Sequence, residues 1–326
     1  MKILAIESSC DETAAAVVED GIKILSSVVA SSTAMHEKYG GIVPEVAARE
    51  QLKVIIPTIK EATKNITYDA IAVTVGPGLI GSLLVGVETA KTLALATGKP
   101  IIPVNHVLAH MFANFIGNNT ILFPAISLVV SGGHTELFLM TSPKELKWLG
   151  GTLDDAAGEA FDKTARLLGF GSKGGVAIQQ TAHKLPDIVT LPRPLMYDKS
   201  LNFSFSGLKT AILREWQKQA NHSDAYIAGL AFEVQESITD VLVSKTIHAA
   251  QIHAAESILL SGGVAANLRL REKMQDAAEK NSVKLFIPPI GLCTDNAVYI
   301  ASYAFFLGKP VDWHSVTAIP DMSVEV

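Results

Sequence analysis

Ile3-Leu4-Ala5-Ile6-Glu7-Ser8-Ser9-Cys10-Asp11-Glu12-Thr13-Ala14-Ala15-Ala16-Val17-Val18 sets a polar turn between two apolar runs. Ile3–Ile6 reads as a buried strand, Ala14–Val18 as a second and Gly21–Ala30 as a third, so the chain begins with three antiparallel strands. The turn after the first strand offers hydroxyls, backbone N–H groups and one carboxylate, Asp11. Those parts can hold a phosphate and its metal, although a Ser/Asp-rich hairpin is more often a turn and nothing else.

The same order of elements returns later. Ala125–Val130 reads as a strand, Ser131-Gly132-Gly133-His134-Thr135 as a turn, Glu136–Met140 and Leu146–Gly150 as strands, and Ala156–Leu168 as a helix. Ser257–Leu260 follows as a strand, then Ser261-Gly262-Gly263 as a turn, a helix from Ala265 to Lys280, a strand Leu285–Ile287 and a last helix Thr294–Leu307. In the first half, Pro44 and Glu45 begin a helix reaching about Lys64, after the loop His36–Gly41. Asp69–Val75 is a strand, Gly76-Pro77-Gly78 turns into a helix Ser82–Ala96 ended by Gly98 and Pro100, and Ile101–Val104 is a strand. No residue identity links the halves; the repeat lies in the order of elements. Two α/β lobes of this kind imply a crevice with a phosphate hairpin from each lobe, and nucleotide is the natural occupant. Sugar kinases, actin and chaperone ATPases share this logic. A Rossmann-like pair of domains is the competing architecture, and the absence of Gly-x-Gly-x-x-Gly after the first strand counts against it.

The expected fold is therefore α/β, a two-lobe actin/Hsp70-like ATPase (ASKHA) fold, each lobe an RNase H-like mixed sheet flanked by helices. Residues 1–124 form the first lobe and 125–326 the second, with the last helix, from about 294, packing back on the first. With 326 residues, 48% of them apolar and 18% charged, each lobe can bury a core. The start meets Glu7 too soon for a signal peptide's apolar region. One uncharged run, Ala70–Val87, approaches the length of a membrane span, but Gly76-Pro77-Gly78 divides it into strand, turn and helix. Cys10 and Cys293 stand nearly a chain length apart, which suits free thiols in a reducing cytoplasm.

His106 and His110 stand four apart after the strand Ile101–Val104, so on a helix both imidazoles share one face. Two half-buried helix histidines are the plainer reading unless a distant third ligand joins them. Asp295 is the candidate. An aspartate near a helix start is ordinarily a cap, yet two His and one Asp form a borderline-to-hard set suited to Fe²⁺ or Zn²⁺. Between the histidines stand Val107 and Leu108, not the Glu of a His-Glu-x-x-His protease, so that reading loses its general base. Ser131-Gly132-Gly133 and Ser261-Gly262-Gly263 allow close backbone approach to an anion, with Asn267 one turn into the following helix. The net charge of −5 is unlike a protein that holds nucleic acid unaided. Lys163–Lys218 differs, with nine Lys or Arg against Asp187, Asp198 and Glu215, a candidate surface for a polyanion or an ordinary solvated face.

Taken together these residues resemble the tRNA N6-adenosine threonylcarbamoyltransferases, once described as O-sialoglycoprotein endopeptidases. The resemblance runs from Glu7-Ser8-Ser9-Cys10-Asp11-Glu12-Thr13 through Tyr39-Gly40-Gly41-Ile42-Val43-Pro44-Glu45, Gly76-Pro77-Gly78-Leu79, His106 with His110, and Val130-Ser131-Gly132-Gly133-His134-Thr135. It continues through Asp154-Asp155-Ala156-Ala157-Gly158-Glu159-Ala160-Phe161-Asp162-Lys163, Phe203-Ser204-Phe205-Ser206-Gly207-Leu208-Lys209-Thr210 and Gly262-Gly263-Val264-Ala265-Ala266-Asn267 to Cys293-Thr294-Asp295-Asn296. It implies transfer of threonylcarbamoyl from its adenylate to the amine of the adenosine 3′ of certain tRNA anticodons, releasing AMP. It implies His106, His110 and Asp295 as ligands of Fe²⁺, with Zn²⁺ as the other ion, and Mg²⁺ alongside bound ATP or ADP. The adenylate would rest on Val129, Val130, Ser131, Gly132, Gly133, Asp162, Gly175, Gln179 and Asn267, with Asp11 as a catalytic or metal-organising acid. Implied partners are tRNA, a paralogous ASKHA-fold protein and a small ATPase, all in the cytoplasm and none of them a membrane.

The chain departs from the family at several places. Gly171-Ser172-Lys173-Gly174-Gly175-Val176 stands for the usual Tyr-Pro-Gly-Gly-Pro, so that loop is expected to move more. Leu108 replaces a frequent Glu, Gln51 a frequent His, and Asn202 a usual Asp. The expectation is an intact metal trio in a retuned pocket, slower or more dependent on partners. Two other classes stay open: a scaffold subunit without activity, and a metalloprotease.

Overall fold

The computed structural model describes residues 1–32, 35, 41–117, 120–171, 174–185, 189–218 and 222–326. Most of the loop read at His36–Gly41, and Ser172 and Lys173 of the departing loop, lie outside them. The described residues form two compact units, Met1–Ile121 with Pro288–Val326, and Leu122–Ile287.

The first unit holds a sheet of order β3-β2-β1-β4-β5. β1 (Lys2–Glu7), β2 (Glu12–Glu19) and β3 (Lys23–Ser31) are antiparallel, while β4 (Ala70–Gly76) and β5 (Ile101–Asn105) run parallel to β1. Alternate residues of a strand face opposite sides, and here both sides are covered. Leu4, Ile6, Ile71 and Val73 pack with Ile55 and Ile59 of α1 (Pro44–Ala62) and Val87 and Ala90 of α2 (Ile80–Thr97). Ile3, Ala5, Ala14, Ala16, Ala70 and Ala72 form a small-residue floor for Tyr299, Ile300 and Ala304 of the last helix, Val298–Phe306. That packing is why Pro288–Val326 belongs with the first unit, although the sequence reading counted it in the second lobe and returned only the last helix. Helix α2 is long and apolar enough to cross a membrane by length and composition, and its buried side belongs to this core.

The second unit repeats the topology. Its sheet runs β8-β7-β6-β9-β10, again three antiparallel strands followed by two parallel ones. The strands are β6 (Ala125–Val130), β7 (Thr135–Ser142), β8 (Glu145–Gly151), β9 (Ser257–Ser261) and β10 (Lys284–Phe286). Around them lie α4 (Ala157–Leu167), α5 (Gly174–Thr181), α6 (Ser206–Gln217), α7 (Asp224–Ile252) and α8 (Leu268–Lys280). α3 is the histidine helix of the first unit, His106–His110, and the last helix is α9. The repeat of element order expected from the sequence is thus a repeat of strand order.

Asp154 anchors the second unit's polar edge. Its carboxylate accepts from Ser204 Oγ (2.5 Å), Phe205 N (2.8 Å), Ser206 N (3.1 Å) and Ser206 Oγ (2.8 Å), closing the start of α6. Burial opposes the charge, but these hydrogen bonds outweigh it and hold the group down at about 2. A folded-state value below the unfolded one, about 3.9, stabilises above that range and is lost as pH falls toward 2. Asp154→Ala is expected to cost about 1–2 kcal/mol at pH 7, the worth of a cap. Melting curves should show the variant's deficit narrowing below about pH 4; a deficit independent of pH would contradict the assignment.

Candidate metal centre and nucleotide pocket

In the first unit, Asn105 caps α3, accepting from Val107 N (3.0 Å) and Leu108 N (3.1 Å), which aims the following histidines. His106 Nε2 and His110 Nε2 stand 3.6 Å and 3.5 Å from the same Asp295 oxygen, and one donor atom from each of the three lies within 4.8 Å of the others. Asp295 does not open the last helix, as read from the sequence. The helix starts at Val298, and Asn296 Oδ1 accepts from its N–H at 2.9 Å. Asn296, one residue ahead of the N-cap Ala297, takes the Val298 N–H and leaves the Asp295 carboxylate to the imidazoles.

Behind His106 stands Glu7. Its Oε2 lies 3.0 Å from His106 Nδ1 and accepts from Thr74 Oγ1 at 2.6 Å, while Oε1 accepts from Ser9 N at 2.5 Å. A carboxylate on one ring nitrogen fixes the tautomer and turns the other nitrogen outward, the usual second support of a metal-binding histidine. Burial pulls His106 down, yet the charges of Glu7 and Asp295 outweigh it and hold it at about 9. Burial would raise Asp295, but the His106 charge and the His110 hydrogen bond keep it well below the ordinary carboxylate range. His110 is lowered, by burial first. Tyr299, fully buried, places its hydroxyl 3.4 Å from both His110 Nε2 and Asp295 Oδ1. Glu7 stood in a quoted motif without a role; its burial at the end of an apolar strand was the available signal.

Gln51, one of the departures, is 1% exposed and ties the first hairpin together. Its Nε2 donates to Cys10 O (2.9 Å) and Glu12 O (3.1 Å). Asp11 sits in that hairpin, outside the trio, with its backbone carbonyl accepting from Ser32. Cys10 and Cys293 are not in a disulfide, and burial, then the Asp11 charge, pushes the Cys10 thiol up. Leu108 is buried in the core. Asn202 Oδ1 accepts from Gly151 N at 3.3 Å, a role the amide fills as well as an acid would.

In the second unit a cavity of about 270 Å³ is lined by Gly132, Asp162, Gly175, Gln179, Gly263 and Asn267 among others. It gathers five of the expected adenylate residues. Val129 and Val130 lie buried in β6 behind it, and Ser131 Oγ accepts from His134 N at 3.1 Å. Asn267 is the cap of α8 and not one turn inside it, since Gly263–Ala266 forms a separate 3-10 turn. Its Oδ1 accepts from Leu270 N (3.0 Å) and its Nδ2 donates to Gln235 Oε1 (3.1 Å). Gln179 Oε1 accepts from Leu268 N at 2.7 Å. The glycine pair Gly174-Gly175 begins α5 and is not a loop. Burial raises Asp162, with Arg166 opposing. Of the nine cations in Lys163–Lys218, Lys163, Arg193 and Lys218 are paired with acids, which thins the expected basic surface.

Gly158 is where the cavity wall is tightest. A Cβ there would meet Ser131 O at 2.5 Å and Gly132 Cα at 2.8 Å. Gly158→Ala must move α4 off the hairpin, an overpacking cost of about 1–3 kcal/mol. The expected result is roughly tenfold weaker nucleotide binding by calorimetry; unchanged affinity would show that this contact does not set the pocket.

Two mixed sheets of the same strand order, one unit with a His-His-Asp cluster and the other with a glycine-walled cavity, define a protein of the actin-like ATPase fold. Solved structures agree on the fold. Full-length HypF in its phosphate- and nucleotide-bound form superposes with a TM-score of 0.62 at 11% identity, over 93% of this chain and 46% of that one. The ROK hexokinase from Thermus thermophilus gives 0.50 at 16%, over 93% and 98%. The sequence profile described as tRNA N6-adenosine threonylcarbamoyltransferase matches residues 23–302. A protein of that name from Persephonella marina is 50% identical over 309 residues, 92% of this chain and 88% of that one. The chain belongs to the tRNA N6-adenosine threonylcarbamoyltransferase family.

Proposed function

We propose that this chain transfers the threonylcarbamoyl group from threonylcarbamoyl-adenylate to N6 of the adenosine 3′-adjacent to the anticodon, in tRNAs reading ANN codons, releasing AMP. The carrying observation is that His106, His110 and Asp295 converge within the first unit in a chain of this family. Bonds of about 2.1 Å to one ion separate neighbouring donors by roughly 3–4 Å, so the 3.5 Å and 3.6 Å spacings fit a single ion. Iron(II) is the proposed metal and zinc the other ion this donor set takes, with Mg²⁺ accompanying ATP or ADP. When bound, the ion supplies Lewis-acid polarisation of a substrate oxygen.

The chain's own groups do the rest. Glu7 and Asp295 hold His106 in register, and Tyr299 limits the room beside His110. The backbone at Ser131–Gly133 and Gly263 lets an anion approach, while Asp162 and Asn267 offer acceptor and donor to ribose hydroxyls or base. Val129, Val130, Gly175 and Gln179 shape the walls. Asp11 is proposed as the acid nearest the transferring group. An acyl-adenylate is already activated, so orientation of the adenosine amine and stabilisation of the leaving phosphate are what remain to be supplied.

Partner binding has its own support. α1 and α2 share an apolar groove of about 440 Å³ lined by Leu52, Ile56 and Leu84, and Leu52 is 64% exposed. An apolar face of this kind marks a protein interface, and a paralogue of the same fold is the proposed occupant, with a small ATPase completing the assembly. Two cysteines held outside any disulfide suit the cytoplasm. The test is mass analysis of tRNA nucleosides after incubation with threonine, bicarbonate, ATP, the adenylate-forming enzyme and the partners. Threonylcarbamoyladenosine should accumulate only with this chain present. A chain needed for assembly but still supporting full product after loss of His106 and His110 would be a scaffold, and glycoprotein cleavage lost in His106→Ala would revive the protease reading.

A further inference from the structure

The second unit carries another cavity, of about 450 Å³, well along α7 from the glycine-walled one. At 1.5 Å per residue, Gln235 beside Asn267 and His248 in this cavity are roughly 20 Å apart. One wall is Met196–Lys199; the other is Ser244, Lys245, His248 and Gln251 of α7. Ligand pockets commonly have about this volume, and nothing in the transfer chemistry uses this one.

Its chemistry is unusual at two residues. Lys245 is 1% exposed, and among the described residues its ammonium forms no ion pair. It donates to Ser200 O at 2.7 Å and Asp198 O at 3.2 Å, which occupies two of its three protons. A buried charge without a counter-ion is costly, and burial lowers this lysine with Asp198 opposing. The Asp198 carboxylate is engaged by Ser200 N at 2.6 Å. Beside it, Tyr197 is 91% exposed, an aromatic ring offered to solvent at the cavity rim. The turn that presents it is fixed by Leu195, whose φ of 53° lies in the left-handed region, and by the Asp198 N to Leu195 O hydrogen bond of 3.0 Å. Lys199 adds a second cation to the same wall, and His248 a ring with two nitrogens.

We propose that this cavity binds a nucleoside monophosphate unit, its phosphate on Lys245 and Lys199 and its base on the Tyr197 ring. Stacking on an exposed aromatic beside cations is how single strands are held without sequence preference. The same chemistry is offered by a free mononucleotide and by a nucleotide within RNA. Of the basic side chains in Lys163–Lys218, Lys199 is the one this cavity uses.

The experiment uses the full chain and two uridine probes, chosen because a pyrimidine tests the site without the adenine for which the other pocket is proposed. Uridine 5′-monophosphate and a fluorescent tetrauridylate are titrated by calorimetry and anisotropy at low salt. Tetrauridylate binding is expected to weaken about tenfold in Tyr197→Ala, a surface change that spares the fold. It should fall by at least as much in Lys245→Met, with circular dichroism and melting temperature as the check on folding. Should Lys245→Met fail to fold, Lys199→Ala takes its place, with a severalfold loss expected. Binding of the tetramer but not the monomer assigns the site to RNA; equal binding per phosphate assigns it to free nucleotide. Absence of binding by both probes, or binding indifferent to Tyr197→Ala, overturns the proposal. Neither reading depends on transfer activity, so a failure here leaves the transferase assignment where it stands.

Discussion

Asp295→Ala is expected to empty the metal centre and reduce threonylcarbamoyl transfer by about a thousandfold or more. The carboxylate oxygen lies 3.6 Å and 3.5 Å from the two imidazole nitrogens, and without it two neutral histidines must hold a divalent ion alone. Several kcal/mol of charge stabilisation go with a lost Lewis acid, and each 1.36 kcal/mol is tenfold in rate. The fold should persist, because the first N–H of α9 is taken by Asn296 Oδ1 and not by Asp295. Metal content by mass spectrometry, nucleoside analysis and a melting curve on the same preparation decide the matter. A variant that keeps both its metal and its rate would remove the trio from the mechanism.

Glu7→Gln is the second large effect. The two oxygens of Glu7 accept from Ser9 N, Thr74 Oγ1 and the His106 Nδ1 proton. An amide can offer only one oxygen, so its NH₂ must face a donor. His106 loses the carboxylate that turns Nε2 toward Asp295, and loss of such support lowers metal affinity by about 10–100-fold. Metal competition with a chelator should show that drop together with a lower melting temperature. Equal affinity with only reduced stability would make Glu7 a core residue alone.

Period-two strands and the repeated order of elements made the fold legible, because a five-stranded sheet of this topology leaves its trace in which apolar runs follow which turns. His106, His110 and Asp295 were legible as donors of matching chemistry. What was hidden lay in local capping. The sequence Asp295-Asn296 contains two residues able to cap, and only geometry shows that Asn296 takes the N–H. Asn267 reads as lying inside the helix because a 3-10 turn of only four residues leads straight into it, too short to show a period of its own. α7 is absent from the sequence reading; its buried residues fall on more than one side, so it carries no single apolar stripe. Gln51 read as a lost histidine; the structure shows an amide serving the hairpin's carbonyls, a function that depends on contacts remote in sequence.

The floor of alanines under α9 carries a consequence for how the molecule is made. The helix resting on it is translated long after both histidines, and the same later segment brings Asp295 to them. A ribosome that has already delivered both imidazoles has therefore delivered an open sheet and an incomplete ion cage. An ion held by all three donors must wait until residue 295 has been made, so a nascent chain stalled before it should emerge metal-free however much metal surrounds it.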